Sequence, residues 1–112
     1  MSKLSRTKGH SYEREIAREF KEMGFPTAER QLEYQISEAF GVDLKNTDPF
    51  LVQCKRGRKW ASISKIKEIK RAFEQYIPLL ITKGDREESV VCMYLRDFKE
   101  LVKTNQNKGE GK

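Results

Sequence analysis

The sequence predicts one α/β domain built on a mixed central β-sheet flanked by helices. Three observations carry that expectation. Apolar residues between Tyr12 and Met23 recur at spacings of three and four, as in an amphipathic helix. Two short β-forming runs, Val42-Asp43-Leu44 and Phe50-Leu51-Val52-Gln53-Cys54, are joined by the polar turn Asn46-Thr47-Asp48-Pro49. A second helical pattern around Ile66 and Ile69 is followed by two more strand-like runs and a short helix. The resulting order, α-β-β-β-α-β-β-α, makes a mixed sheet with helices against it. A chain of 112 residues has room for one core and not two.

Taken in order, residues 1–8 read as a basic arm. The first helix takes Ser11, or Gly9 a little earlier, as its cap and sets Ile16, Ala17, Phe20 and Met23 on one face. Glu13 belongs to the same stripe one turn earlier, so it points a carboxylate towards the core side. A plainer role is also open to it, favouring the helix dipole or reaching a basic neighbour. Gly24 ends the helix, and residues 25–30 lead into the first strand. Residues 31–40 read as a loop or a helical turn ending at Gly41.

In the third strand, alternation gives Phe50, Val52 and Cys54 a core face and leaves Leu51, Gln53 and Lys55 on the other. The second helix, capped by Ser62 or Ser64, carries Ile63, Ile66, Ile69, Phe73 and Tyr76 on a face that is core or dimer interface. Pro78 stops it. Leu79-Leu80-Ile81-Thr82 and residues 89–95 form the last two strands around the turn Lys83-Gly84-Asp85-Arg86. Asp97 caps a short helix over residues 98–102. The domain thus spans residues 1–103, and the polar, Gly/Lys-rich residues 104–112 are predicted to be disordered.

Charge narrows the partners. The formal net charge is +6 and the pI about 9.4, so an anionic polymer or surface is the expected partner, nucleic acid first. Cys54 and Cys92 each lie in an apolar strand-like run, and no apolar signal-like stretch opens the sequence, so reduced thiols in a cytoplasm are expected, whether bacterial, archaeal or that of a phage-infected cell. One His and two separated Cys give no zinc spacing. No apolar run reaches the ~20 residues of a membrane span.

Chemistry concentrates between residues 42 and 58. Asp43 sits between Val42 and Leu44, and an amide and an ammonium, Gln53 and Lys55, stand two apart on the neighbouring strand. Polar groups in mid-sheet are costly unless they have partners or a task. Glu13, Asp43 and Gln53-Cys54-Lys55 together suit phosphodiester hydrolysis, which needs a hard cation at the phosphate and a positive group to stabilise developing charge. Mg²⁺ takes one or two carboxylates and keeps several waters. Glu13 and Asp43 are the candidate carboxylates, with the Gln53 amide oxygen and the Cys54 backbone carbonyl completing the protein's share. Lys55 would orient the attacking water or stabilise the transition state.

The same positions carry a family resemblance. Lys8-Gly9, Glu13-Arg14, Gly24-Phe25, Val42-Asp43-Leu44, Gln53-Cys54-Lys55 and Pro78-Leu79-Leu80-Ile81 make the chain similar to archaeal-type Holliday junction resolvases, within the restriction-endonuclease-like PD-(D/E)xK nucleases. The resemblance runs from Lys8 to about Leu95. It implies a restriction-endonuclease-like core and a homodimer that uses Mg²⁺ or Mn²⁺ to nick two strands of a four-way DNA junction symmetrically, leaving 5′-phosphates. It also implies Glu13 and Asp43 as metal ligands and Lys55 as the catalytic lysine. The chain departs from the pattern twice: Val42 stands where Pro is usual, and Gln53 where a carboxylate is usual. Gln53 coordinates without charge, so metal binding should be weaker. Glu38 and Glu68 are the candidates to replace the missing carboxylate.

Seven cations flank these positions and form the expected DNA-contacting set: Arg6, Lys8, Arg14, Arg30, Arg56, Arg58 and Lys59. Lys8 and Arg58 are favoured because each adjoins a glycine and a catalytic element. Trp60 is open to base stacking or to a buried interface, and His10 to a phosphate contact or none. Besides the resolvase reading stand two alternatives: another repair or restriction-type nicking nuclease with the same core, and a nucleic-acid-binding protein whose nuclease site has decayed at Gln53.

Overall fold

The computed structural model describes residues 3–31, 41–57 and 64–110, with side chains from residue 10 to residue 106 within those stretches. The elements are α1 (Lys3–Glu22), β1 (Glu29–Arg30), β2 (Leu44–Lys45), β3 (Phe50–Arg56), α2 (Ser64–Ala72), β4 (Ile77–Lys83), β5 (Val90–Cys92) and α3 (Leu95–Glu110). Their order is the one predicted. β3 and β4 run parallel, Val52 opposite Leu79 and Cys54 opposite Ile81, and β5 adds antiparallel to β4. The sheet is therefore mixed, with three strands in the order β3-β4-β5. β1 and β2 form a second, antiparallel pair.

Both faces of β3–β4 are covered. On one lies α1: Tyr12, Ile16, Ala17 and Phe20 pack with Val52, Cys54, Leu79 and Ile81. Phe20, Phe25 and Phe50 close the end of that core with ring centroids 5.4 to 6.4 Å apart. The predicted alternation in β3 holds here. The opposite face, expected to be polar, is also buried. Gln53 shares its register with Leu80, and Ile66 and Ile69 of α2 are 1% and 0% exposed. α2 packs against β4, so its isoleucines are core, which decides between the two roles open to them; Ile63 lies outside the described residues.

The helix ends differ from expectation. α1 begins at Lys3, so residues 3–8 are helix and not an arm. Glycine inside a helix costs only about 1 kcal/mol, which the flanking helix-forming residues offset, and Gly9 does not cap it. Met23 is 62% exposed and outside the core. The chain turns at Gly24, which has φ of 112°, and Phe25 takes the core place, its N–H donating to the Phe20 carbonyl. Tyr12 joins the buried stripe instead, its hydroxyl 2.8 Å from that of Ser89. At the other end α3 runs to Glu110, well beyond the short helix and into the predicted tail. Asp97 lies inside its first turn and not at its cap.

Among the described residues no helix is long and apolar enough to cross a membrane.

Candidate active site

Asp43 sits where the two sheets meet. Its backbone carbonyl accepts from Gln31 N–H at 2.7 Å, on the β1 side, while its own N–H donates to the Val52 carbonyl at 2.8 Å, on the β3 side. The residue thus belongs to neither ladder alone. Two residues further along β3, where the next ladder bond would fall, the Cys54 N–H donates instead to the Asp43 carboxylate, Oδ2 at 2.7 Å. A side chain has replaced the backbone, and the strands fork. Because ladder groups alternate along a strand, the Cys54 carbonyl faces the same edge as its N–H, beside that carboxylate.

Gly41 stands at the entrance to this fork with φ of 85°. A Cβ there would lie 3.2 Å from the Gln53 Nε2, so glycine serves both the backbone conformation and the close approach of the amide. Gln53 is 7% exposed, and its Oε1 is buried with no hydrogen-bond partner among the described residues. Such an acceptor costs about 1–3 kcal/mol when left unsatisfied.

Glu13 comes from α1, on its core-facing stripe as predicted. Its Oε1 accepts from Arg30 Nε at 2.9 Å, with both side chains largely buried (15% and 21% exposed). Arg30 is the strand residue paired with Leu44, the neighbour of Asp43. The second carboxylate therefore reaches the neighbourhood of the first with its own counter-charge. The Cys54 thiol senses both. Burial pushes its pKa well above the ordinary thiol value, and the Asp43 and Glu13 carboxylates push it further in the same direction. That thiol stays protonated, and it is packing and not nucleophile. Lys55, the last of the predicted site residues, projects into solvent at the exposed end of β3.

Of the expected DNA contacts, Arg14 is exposed on α1. Arg30 and Arg56 are engaged within the fold: Arg30 with Glu13, and Arg56 with Asp85 at 2.9 Å, where it ties β3 to the turn after β4. Both lie beside carboxylates because the chain brings its strand ends together there, a proximity that sequence spacing does not display. The side chains of Arg6 and Lys8, and all of Glu38, Arg58, Lys59 and Trp60, lie outside the described residues. Glu68 does not approach the fork; it pairs with Lys65 on the outer face of α2.

Among the described residues no group of three or more His, Cys, Asp and Glu side chains could hold a metal. The Asp43 carboxylate lies on the Cys54 N–H, the Cys54 carbonyl shares that edge, and the Glu13 carboxylate acts on the Cys54 thiol from the α1 side, while the Gln53 amide packs at Gly41. Oxygens of this kind suit a hard cation that keeps most of its waters and not a transition metal seeking nitrogen and sulfur. The contact without a signal in the sequence is that of the Arg30 guanidinium, which offsets the charge of Glu13.

Comparison of the chain with protein-family models, with curated proteins and with solved structures finds no match.

Proposed function

We propose that this protein is a Mg²⁺- or Mn²⁺-dependent, structure-selective DNA endonuclease with a restriction-endonuclease-like core, acting as a homodimer on four-way junctions. The observation that carries the reading is the fork at Asp43: a carboxylate bonded to Cys54 N–H, next to a strand whose buried Gln53 Oε1 meets no donor among the described residues. Among the described residues two buried side-chain oxygens lack a donor, Gln53 Oε1 and Asp97 Oδ2; the first, beside the fork, fits a cation. Asp43, Glu13, the Gln53 amide and the Cys54 carbonyl would hold that cation. Bound there, it supplies Lewis-acid stabilisation of charge on the phosphate.

The chain's own residues have separable tasks. The bond from Cys54 N–H fixes the orientation of the Asp43 carboxylate. Arg30 holds Glu13 in one rotamer and keeps the site near neutrality, which favours approach of a polyanion. Lys55 brings a flexible ammonium to the rim, where it stabilises the negative charge that develops on phosphate oxygens in the transition state. The exposed Arg14 adds a backbone contact.

A second reading, a nucleic-acid binder with a silent site, is favoured by one feature: both carboxylates already have structural partners. One experiment separates the two. A labelled four-way junction is incubated with protein and Mg²⁺ or Mn²⁺. Paired symmetric nicks, lost in Asp43→Asn and in Lys55→Ala, support the endonuclease. Binding without cutting at any metal concentration supports the silent site, and equal cutting of linear duplex makes the protein a general nuclease.

A further inference from the structure

A second basic surface lies apart from the fork. α2 and the start of α3 enclose a groove of about 410 Å³ lined by Lys67, Lys70, Arg71, Glu74, Tyr94 and Arg96. Four cations therefore face one carboxylate. Lys70 is built in: its ammonium donates to the Tyr76 carbonyl at 2.8 Å and lies 3.4 Å from Asp97 Oδ1. Lys67 and Arg71 are exposed, make no ion pair among the described residues, and sit four apart on one helix face, where like charges repel. Arg96 lies over the Tyr94 ring, 5.1 Å from its centre, a cation–π contact that restrains the guanidinium and does not consume its N–H donors.

Helix electrostatics accounts for part of this. Lys70 and Arg71 occupy the last turn of α2, where cations complement the dipole. Lys67 is in mid-helix, and Arg96 is in the first turn of α3, where the dipole favours a carboxylate. Arg96 is thus held against the dipole and Lys67 without its help, around a concave surface that one anionic ligand would relieve.

We propose that this groove binds the phosphate backbone of nucleic acid, forming a contact surface separate from the Asp43–Cys54 fork. The proposal rests on the nucleic-acid partner of the endonuclease reading, not on its chemistry. Phosphodiesters match the groove in two ways. Successive phosphates can meet Lys67 and Arg71 along the helix while the Arg96 fork takes one of them in a bidentate grip. The Tyr94–Arg96 pair also offers a flat face to an unstacked base at a strand end or branch. On a branched substrate, one duplex arm would lie at the fork and another segment of backbone at the groove.

The test is fluorescence anisotropy with a labelled four-way junction, in EDTA so that nothing is cut, over a series of salt concentrations. Lys67→Ala/Arg71→Ala should weaken binding about tenfold or more and make the log–log salt slope shallower by about two, each phosphate contact contributing roughly 0.9. Arg96→Ala should remove about one further unit, and Glu74→Lys should tighten binding severalfold. Arg18→Ala/Lys21→Ala removes the same charge from the exposed face of α1 and should change the slope by less than half as much. Equal effects from the control pair, or unchanged binding in the groove variants, overturn the proposal. So does a wild type that binds no junction, or a groove whose loss weakens binding to phosphatidylserine vesicles or polyglutamate and not to DNA. If the wild type binds but never cuts, the endonuclease reading fails and the groove stands. If it cuts and the groove variants bind normally, the reverse holds.

Discussion

The carboxylate of Asp43 takes the Cys54 N–H at 2.7 Å in place of a ladder carbonyl, and so a single side chain both ends one strand pairing and brings negative charge to the edge of β3. Structure and chemistry share one residue, and substitutions there can separate them.

Asp43→Asn keeps an acceptor oxygen of the same reach. It should fold with a loss of about 1 kcal/mol, the difference between a charge-assisted and a neutral bond, and should lose junction cleavage altogether. Asp43→Ala leaves the Cys54 N–H without a partner and should cost about 1–3 kcal/mol. Urea denaturation alongside the nicking assay distinguishes the two variants.

Glu13 and Arg30 form the more buried of the charge pairs near the fork, at 2.9 Å. Removing either alone leaves a desolvated charge, so Glu13→Gln and Arg30→Gln should each cost about 2–3 kcal/mol. The double variant should cost clearly less than their sum. A double-mutant cycle by chemical denaturation measures the coupling. Additive losses would mean that the pair is not formed in solution.

Gln53→Glu supplies the charge that the site lacks. Without divalent metal it buries a carboxylate beside Gly41 and should destabilise the fold by about 1–3 kcal/mol. With Mn²⁺ the loss should be recovered, and calorimetric affinity should exceed that of the wild type by about tenfold, equivalent to ~1.4 kcal/mol. A variant whose thermal midpoint does not respond to Mn²⁺ would argue against a cation at the fork.

Burial, then Asp43 and Glu13, hold the Cys54 thiol protonated above its ordinary range. Because the folded-state pKa is raised, this stabilisation is complete below the unfolded thiol's pKa, near ~8.5, and falls as pH rises beyond it. Between pH 8.5 and 10 the unfolding free energy should therefore drop by up to about 1.4 kcal/mol per pH unit, a slope that Cys54→Ala removes. In the native protein a thiol reagent should label the half-buried Cys92 and spare Cys54. Rapid labelling of both would show that the β3 core opens easily.

Much of this was readable from residues alone. The 3.6-residue period of α1 marks Ile16, Ala17 and Phe20 as one buried stripe, and the two-residue period of β3 sends Val52 and Cys54 to the α1 core. Glu13, Asp43 and Gln53 stand out because polar groups at apolar positions break those periods. Local periodicity follows from backbone geometry, so it is present in the sequence before anything folds. Tertiary structure decided what lies across space from each residue. It gave Glu13 the Arg30 guanidinium and Asp85 that of Arg56, and covered the Gln53 face with Ile66 and Ile69 of α2. It also brought Lys67 and Arg71 of one helix to Arg96 of another, a grouping with no sequence signature. Charges act over distances that the chain's order does not record, whereas faces of helices and strands are set by neighbours three, four or two residues away.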